Sequence, residues 1–258
     1  MGSKNTEDYM SDLKEQNRND IELINEIIDY CQKNNKAMIN WGMVQNEYYD
    51  KMLNIFKIKD HVDFFSKLQN ALNETNSEKE KEKREQYFIK RCLTKKFSDI
   101  DERIFQHYGA IPNPVQRAKE WDFIAHGVKF DLKSTRLFDD KMYLKDKIMS
   151  KTLTNEELEY LGKEFYTRQS GYKKKNGRFS INNRLFLVHI SNMENDMMRP
   201  DDVVKLKFTD KANAAKYFMS LDKIAIHTYK DDSSGEEALF TFLFFCEDEK
   251  GNVTWYNA

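Results

Sequence analysis

Two aspartates and a lysine have the types and spacing to hold a hard cation beside a phosphate. They lie in the stretch Trp121-Asp-Phe-Ile-Ala-His-Gly-Val-Lys-Phe-Asp-Leu-Lys133. Read as a hairpin turning on His126-Gly127, the stretch pairs Ala125 with Val128 and Phe123 with Phe130. Continued outward, the same register sets Asp122 opposite Asp131 and Glu120 opposite Lys133. Directly opposed side chains in such a ladder have Cβ atoms about 4.5–5.5 Å apart, and like charges at that spacing destabilise it. A divalent cation between the carboxylates removes that cost, and Mg²⁺ takes its ligands from one or two carboxylates plus substrate phosphate. Lys133, two residues beyond Asp131 and on the same face, is placed to reach a water on the cation or a scissile phosphate. The tripeptide alone carries nothing, since Asp12-Leu13-Lys14, Asp139-Asp140-Lys141 and Asp248-Glu249-Lys250 repeat it in a chain that is 33% charged. The second aspartate in register is what singles out this copy.

The elements that must position these groups follow from alternation and periodicity. Trp121, Phe123, Ala125, Val128, Phe130 and Leu132 fall on one face of the hairpin and predict packing on a core. Glu120, Asp122, Asp131 and Lys133 fall on the other, with Ile124, Lys129 and Thr135. Before the hairpin, residues 7–72 keep a three-to-four spacing of apolar residues (Ile21, Ile24, Ile27, Ile28 and Cys31; then Val62, Phe64, Phe65, Leu68 and Leu72), which predicts helices. Residues 73–84 are a composition break running into a helix that ends near Phe97, with Phe88, Ile89, Cys92 and Leu93 buried. Ser98-Asp-Ile-Asp101 reads as a variant capping box opening another helix, closed by Gly109. After the hairpin come a helix over 138–149, a helix opened by the capping box Thr154–Glu157 and reaching Arg168, and a buried strand over 185–190. A helix over 210–220 and strands over 224–229, 239–246 and 253–256 complete the order. It predicts an α/β (α+β) chain: a mixed β-sheet flanked by helices, with a helical N-terminal segment over 1–76 and the sheet domain over 77–258.

Asp122 with Asp131-Leu132-Lys133 resembles the PD-(D/E)XK nuclease superfamily, whose restriction-endonuclease-like fold carries an Asp on one strand and Asp/Glu-x-Lys on the next. The usual proline before the first Asp is replaced by Trp121. The resemblance covers roughly residues 80–230, with its firm part in the hairpin. It implies that Asp122 and Asp131 hold Mg²⁺, with Mn²⁺ able to substitute, and that the Leu132 carbonyl serves as a further ligand. Lys133 would then orient or deprotonate the attacking water. The implied activity is endonucleolytic hydrolysis of double-stranded DNA, first as a sequence-specific type II restriction enzyme. A structure-specific, repair or phage-defence nuclease is the alternative, and a non-catalytic nucleic-acid-binding protein on the same fold is the competing class. Duplex cleavage at a palindrome would favour a homodimer.

The superfamily often adds a helical carboxylate. Glu85, three and four residues before Phe88 and Ile89, is the first candidate, ahead of Glu82 and Glu102. Glu120 reads equally as a third ligand and as a salt-bridge partner of Lys133. Arg168, Gln169, Lys173, Lys174, Lys175, Arg178, Asn183 and Arg184 form a basic and amide-bearing stretch suited to phosphate and base contacts. Arg184 and His189 also match the Arg-x₄-His spacing that resembles the HEPN ribonuclease motif, but that motif needs a helix and these residues read as a strand.

Composition bounds the rest. The 258 residues are 40% hydrophobic and 13% aromatic, with 3 Pro and 9 Gly. That is enough for one large domain or a core with an added segment. Three separated cysteines suit a reducing, cytoplasmic setting and offer no thiolate zinc site, and the five histidines show no ligand spacing. No apolar run approaches the length of a membrane helix. The net charge of −1 neither announces nor excludes a nucleic-acid partner.

Overall fold

The computed structural model of the chain describes residues 6–36, 46–54, 57–115, 120–170, 181–193, 200–232 and 234–258. Two compact units are present: residues 1–103 with 195–199, and residues 104–194 with 200–258. The sequence boundary near residue 76 separates two helices, whereas this division lies inside the next helix, after Arg103.

The first unit is helical. Helices α1 (Thr6–Lys33), α2 (Glu47–Leu53) and α3 (His61–Asn73) precede α4 (Glu78–His107). The expected apolar stripes supply its core, except that Val62 at the start of α3 is exposed: Ile24, Ile27 and Cys31 of α1, Phe64 and Leu68 of α3, and Phe88, Ile89, Cys92 and Leu93 of α4 are buried. Where the sequence suggested a helix break at Ser98, α4 runs straight through. Phe97 and Ile100 are buried on either side of Ser98, and the Ser98 hydroxyl turns to Glu102 instead of capping a backbone amide. Packing of the apolar face thus overrides a local start signal.

The second unit is α+β. Among the described residues one mixed sheet of seven strands runs in the order β1 (Ile111–Pro112), β2 (Phe123–Ala125), β3 (Val128–Arg136), β4 (Arg184–Ser191), β6 (Glu237–Glu247) and β5 (His227–Lys230). Strand β7 (Val253–Asn257) pairs with the far half of β6. The region 138–149, expected as one helix, is a 3₁₀ segment, Asp139–Leu144, followed by α5 (Lys145–Met149). Helix α6 (Asn155–Ser170) opens with the expected capping box. The Glu157 amide donates to the Thr154 hydroxyl at 3.2 Å, and the Thr154 amide to the Glu157 carboxylate at 3.0 Å. Helices α7 (Pro200–Val203) and α8 (Phe208–Ser220) lie between β4 and β5 in the chain.

The three inner strands β3, β4 and β6 are parallel and the outer pairings antiparallel. Parallel neighbours require long crossovers, which α6 and α8 lie within. Strand β4 is buried along its whole length, which is why its sequence is a continuous apolar run. Register lines side chains into rows across one face: Asp131, Arg184 and Phe240, then Lys133, Phe186 and Phe242. Helix α6 covers the aromatic part of this face, with Phe165 stacked on Phe186 at 5.1 Å. Gly162 lets α6 come close, since a Cβ there would lie 2.3 Å from the Phe240 ring. On the other face Phe123 stacks on Phe105 at 5.3 Å, and Phe105 meets Phe218 of α8 at 5.8 Å.

Candidate functional site

The hairpin forms on the expected turn. His126 and Gly127 both have positive φ, 49° and 75°. A two-residue type I′ turn requires this, and Phe123, Ile124 and Ala125 pair with Phe130, Lys129 and Val128. The ladder then slips by one residue. The Asp122 amide donates to the Phe130 carbonyl at 2.8 Å, although Phe130 is already the partner of Phe123. Two residues of one strand thus face one of the other, the arrangement of a β-bulge. Continuous pairing of Asp122 with Asp131 and of Glu120 with Lys133, expected from the sequence, therefore does not form. Trp121, expected on the apolar face with Phe123, instead carries the Lys129 ammonium 5.2 Å from its ring centre. An inserted residue reverses the alternation beyond it.

The bulge nevertheless brings the carboxylates together. Asp122 turns its side chain onto β3, where Oδ2 accepts the Leu132 amide at 2.7 Å. Burial first, and then the negative charge of Asp131, push the Asp122 carboxyl up from 3.8 to about 6. The Leu132 amide and the Lys133 ammonium act in the opposite direction. Asp131 is held from two sides: Lys133 Nζ donates to Oδ1 at 2.6 Å, and Arg184 Nε lies 3.7 Å from Oδ2. Lys133 keeps 35% of its side chain exposed, so it reaches both the aspartate and solvent. The backbone of Asp122 is fixed by Asn113, whose amide donates to the Asp122 carbonyl at 2.9 Å and whose Nδ2 donates to the Trp121 carbonyl at 2.8 Å. Sequence reasoning passed over Asn113. Its signal was the setting Pro112-Asn113-Pro114, where an asparagine side chain caps its own turn. Here it accepts from the Val115 amide at 3.0 Å.

The remaining candidates are placed as follows. Glu120 is exposed, in the bend before Asp122. Glu85 belongs to the first unit, where its carboxylate accepts the Tyr30 hydroxyl and pairs with Lys36 at 2.7 Å. Arg168, in the last turn of α6, forks to Asp140 and Glu164 and stacks over Phe138 at 4.3 Å. The side chain of Gln169 lies outside the described residues, as do Lys173, Lys174, Lys175 and Arg178. The Asn183 side-chain oxygen accepts the Leu239 amide at 2.9 Å, and its carbonyl accepts the Asp131 amide at 2.9 Å, so Asn183 joins strands. Arg184 is buried, 2% exposed. His189 is fully buried, its Nδ1 bonded to the Thr135 carbonyl, and burial holds its pKa well below the usual value. In a strand, residues five apart point to opposite faces, so Arg184 and His189 do not converge.

The donor set suits a hard cation: carboxylate oxygens, one of them raised by burial and by its neighbour's charge, beside an edge of β3. Leu132 sends its amide toward Asp122, and in a strand the carbonyl of the same residue leaves on that side too. Among the described residues no group of three or more His, Cys, Asp or Glu gathers as a metal cage. Among the same residues no helix is long and apolar enough to cross a membrane. In comparisons with known proteins, the chain matches no family model, no curated protein and no solved structure.

Proposed function

We propose that this protein is a Mg²⁺-dependent endonuclease that hydrolyses DNA phosphodiester bonds. The observation that carries the reading is the convergence of Asp122, Asp131 and Lys133 at one edge of β3, with Asp122 raised by burial and by the charge of Asp131. Asp122 and Asp131 hold the cation, with the Leu132 carbonyl available beside them. The cation, when bound, lowers the pKa of a water and offsets charge in the transition state. Lys133, in contact with Asp131 and part-exposed to solvent, would orient the attacking water or donate to the non-bridging phosphate oxygen. Asn113 keeps the Asp122 backbone in its bulged conformation. Within nucleases, a sequence-specific restriction enzyme is the first reading and a structure-specific, repair or phage-defence nuclease the second. The basic residues of 171–178 are the proposed contact with duplex DNA.

One observation favours a non-catalytic reading. Lys133 and Arg184 both already sit against Asp131, as in a structural ion-pair cluster. A single experiment separates the two. Plasmid, single-stranded DNA and RNA are incubated with and without Mg²⁺, with the parent and with Asp122→Asn and Lys133→Ala. Mg²⁺-dependent nicking by the parent, lost in both variants, supports the nuclease. A parent inert on all three substrates, or variants as active as the parent, refutes it.

A further inference from the structure

Arg184 marks the line where the polar site meets the aromatic core. The row Asp131, Arg184, Phe240 crosses β3, β4 and β6 on the face that α6 covers. At 2% exposure its guanidinium is out of reach of a DNA backbone, which removes the basis for the phosphate contact expected from sequence. Instead its Cζ lies 4.5 Å over the ring of Tyr166, and its Nε 3.7 Å from Asp131 Oδ2. Tyr166 is itself fixed: its hydroxyl donates to the Asn182 carbonyl at 2.8 Å, and its ring stacks on Tyr229 at 4.1 Å with the planes 2° apart. A planar cation held against a locked ring is a rigid post, unlike a lysine, whose point charge swings on a flexible stem.

We propose that Arg184 is a positioning residue of the nuclease centre. It sets the orientation of the Asp131 carboxylate from the buried side, so that Oδ1 faces Lys133 and the water-accessible edge of β3. The inference rests on the nuclease reading for its catalytic consequence, while the Arg184–Asp131 pairing can be tested without it.

The test uses the full chain with Arg184→Lys and Arg184→Met, in Mg²⁺-dependent cleavage and in urea unfolding. In Arg184→Met, kcat falls by about tenfold or more while KM for DNA stays within about twofold, because the residue acts through Asp131 and does not touch DNA. Arg184→Lys recovers part of kcat. A rise in KM at constant kcat would instead make Arg184 a DNA contact, and a lowered melting temperature with unchanged kcat would make it purely structural; either overturns the proposal. If Arg184→Met does not fold, an unchanged kcat in Arg184→Lys overturns it alone. A double-mutant cycle with Asp131→Asn, read by unfolding, gives coupling of about fivefold or more in the unfolding constant. Coupling in a parent that neither binds Mn²⁺ nor cleaves DNA would refute the nuclease reading and leave the pairing standing; no coupling refutes the pairing itself.

Discussion

Asp122→Asn removes the group that the site most resists ionising. A carboxyl lifted from 3.8 to about 6 on folding holds its proton more tightly in the native state than in the unfolded chain. Its favourable contribution is complete below the unfolded value and is lost as pH rises through about 6. Above both values the ionised carboxylate opposes folding by about 3 kcal/mol. Asparagine is never ionised, its side-chain oxygen still accepts the Leu132 amide, and its NH₂ becomes a donor toward Asp131. Urea unfolding at pH 8 is expected to show the variant more stable than the parent by about 3 kcal/mol, the difference shrinking toward zero as the pH is lowered to 4. Mg²⁺ raises the stability of the parent at pH 8 and leaves the variant unchanged, since only the parent binds it. The same substitution abolishes cleavage, and a stabilised inactive protein excludes misfolding as the cause. A variant less stable than its parent at pH 8, or a gain that does not vary with pH, would refute the claim that burial and Asp131 oppose the Asp122 charge.

Three further outcomes follow from the same geometry. Asp131→Asn, in contrast, removes a carboxylate that faces a buried guanidinium and is expected to cost about 3 kcal/mol in urea unfolding; a neutral effect would mean that the Arg184–Asp131 pairing contributes nothing to stability. Mn²⁺ affinity measured by calorimetry falls about tenfold per pH unit below about 6 and levels off above it, because Asp122 must lose its proton to bind; a flat profile between pH 5 and 8 removes Asp122 from the ligand set. Gly162→Ala adds a methyl 2.3 Å from the Phe240 ring. It lowers stability by about 1–3 kcal/mol despite the better helix propensity of alanine; a raised melting temperature would show that the helix and ring can separate freely.

What could be read from the sequence was what local chemistry decides. His126-Gly127 announces a turn with two positive φ values, and Thr154 with Glu157 closes a reciprocal cap, so both forecasts hold in detail. The α+β class and the strand at 185–190 followed from periodicity and from an uninterrupted apolar run. The failures are where distant parts of the chain decide. Ser98 carries a start signal, yet burial of Phe97 and Ile100 keeps α4 continuous. The slip at Asp122 depends on Asn113 reaching across from the segment after β1, which no alternation pattern within the hairpin contains. Arg184 looked like one more cation of a basic stretch. Only the parallel register with Asp131, more than fifty residues earlier, places it inside the protein.

The burial of β4 on every residue has a consequence for how the chain reaches this state. Both of its partners lie more than fifty residues away, Asp131 before it and Phe240 after it, whereas β2 and β3 are neighbours across a two-residue turn. The hairpin can close early and locally, but the central strand gains its second partner only after β6 has been synthesised. Until then Leu185-Phe-Leu-Val-His-Ile190 is an apolar, uncharged segment of strong strand character with an open edge, the kind that pairs with other chains. Arg184 at one end, a charge flanking that segment, is thus also a gatekeeper of this aggregation-prone stretch of the nascent protein.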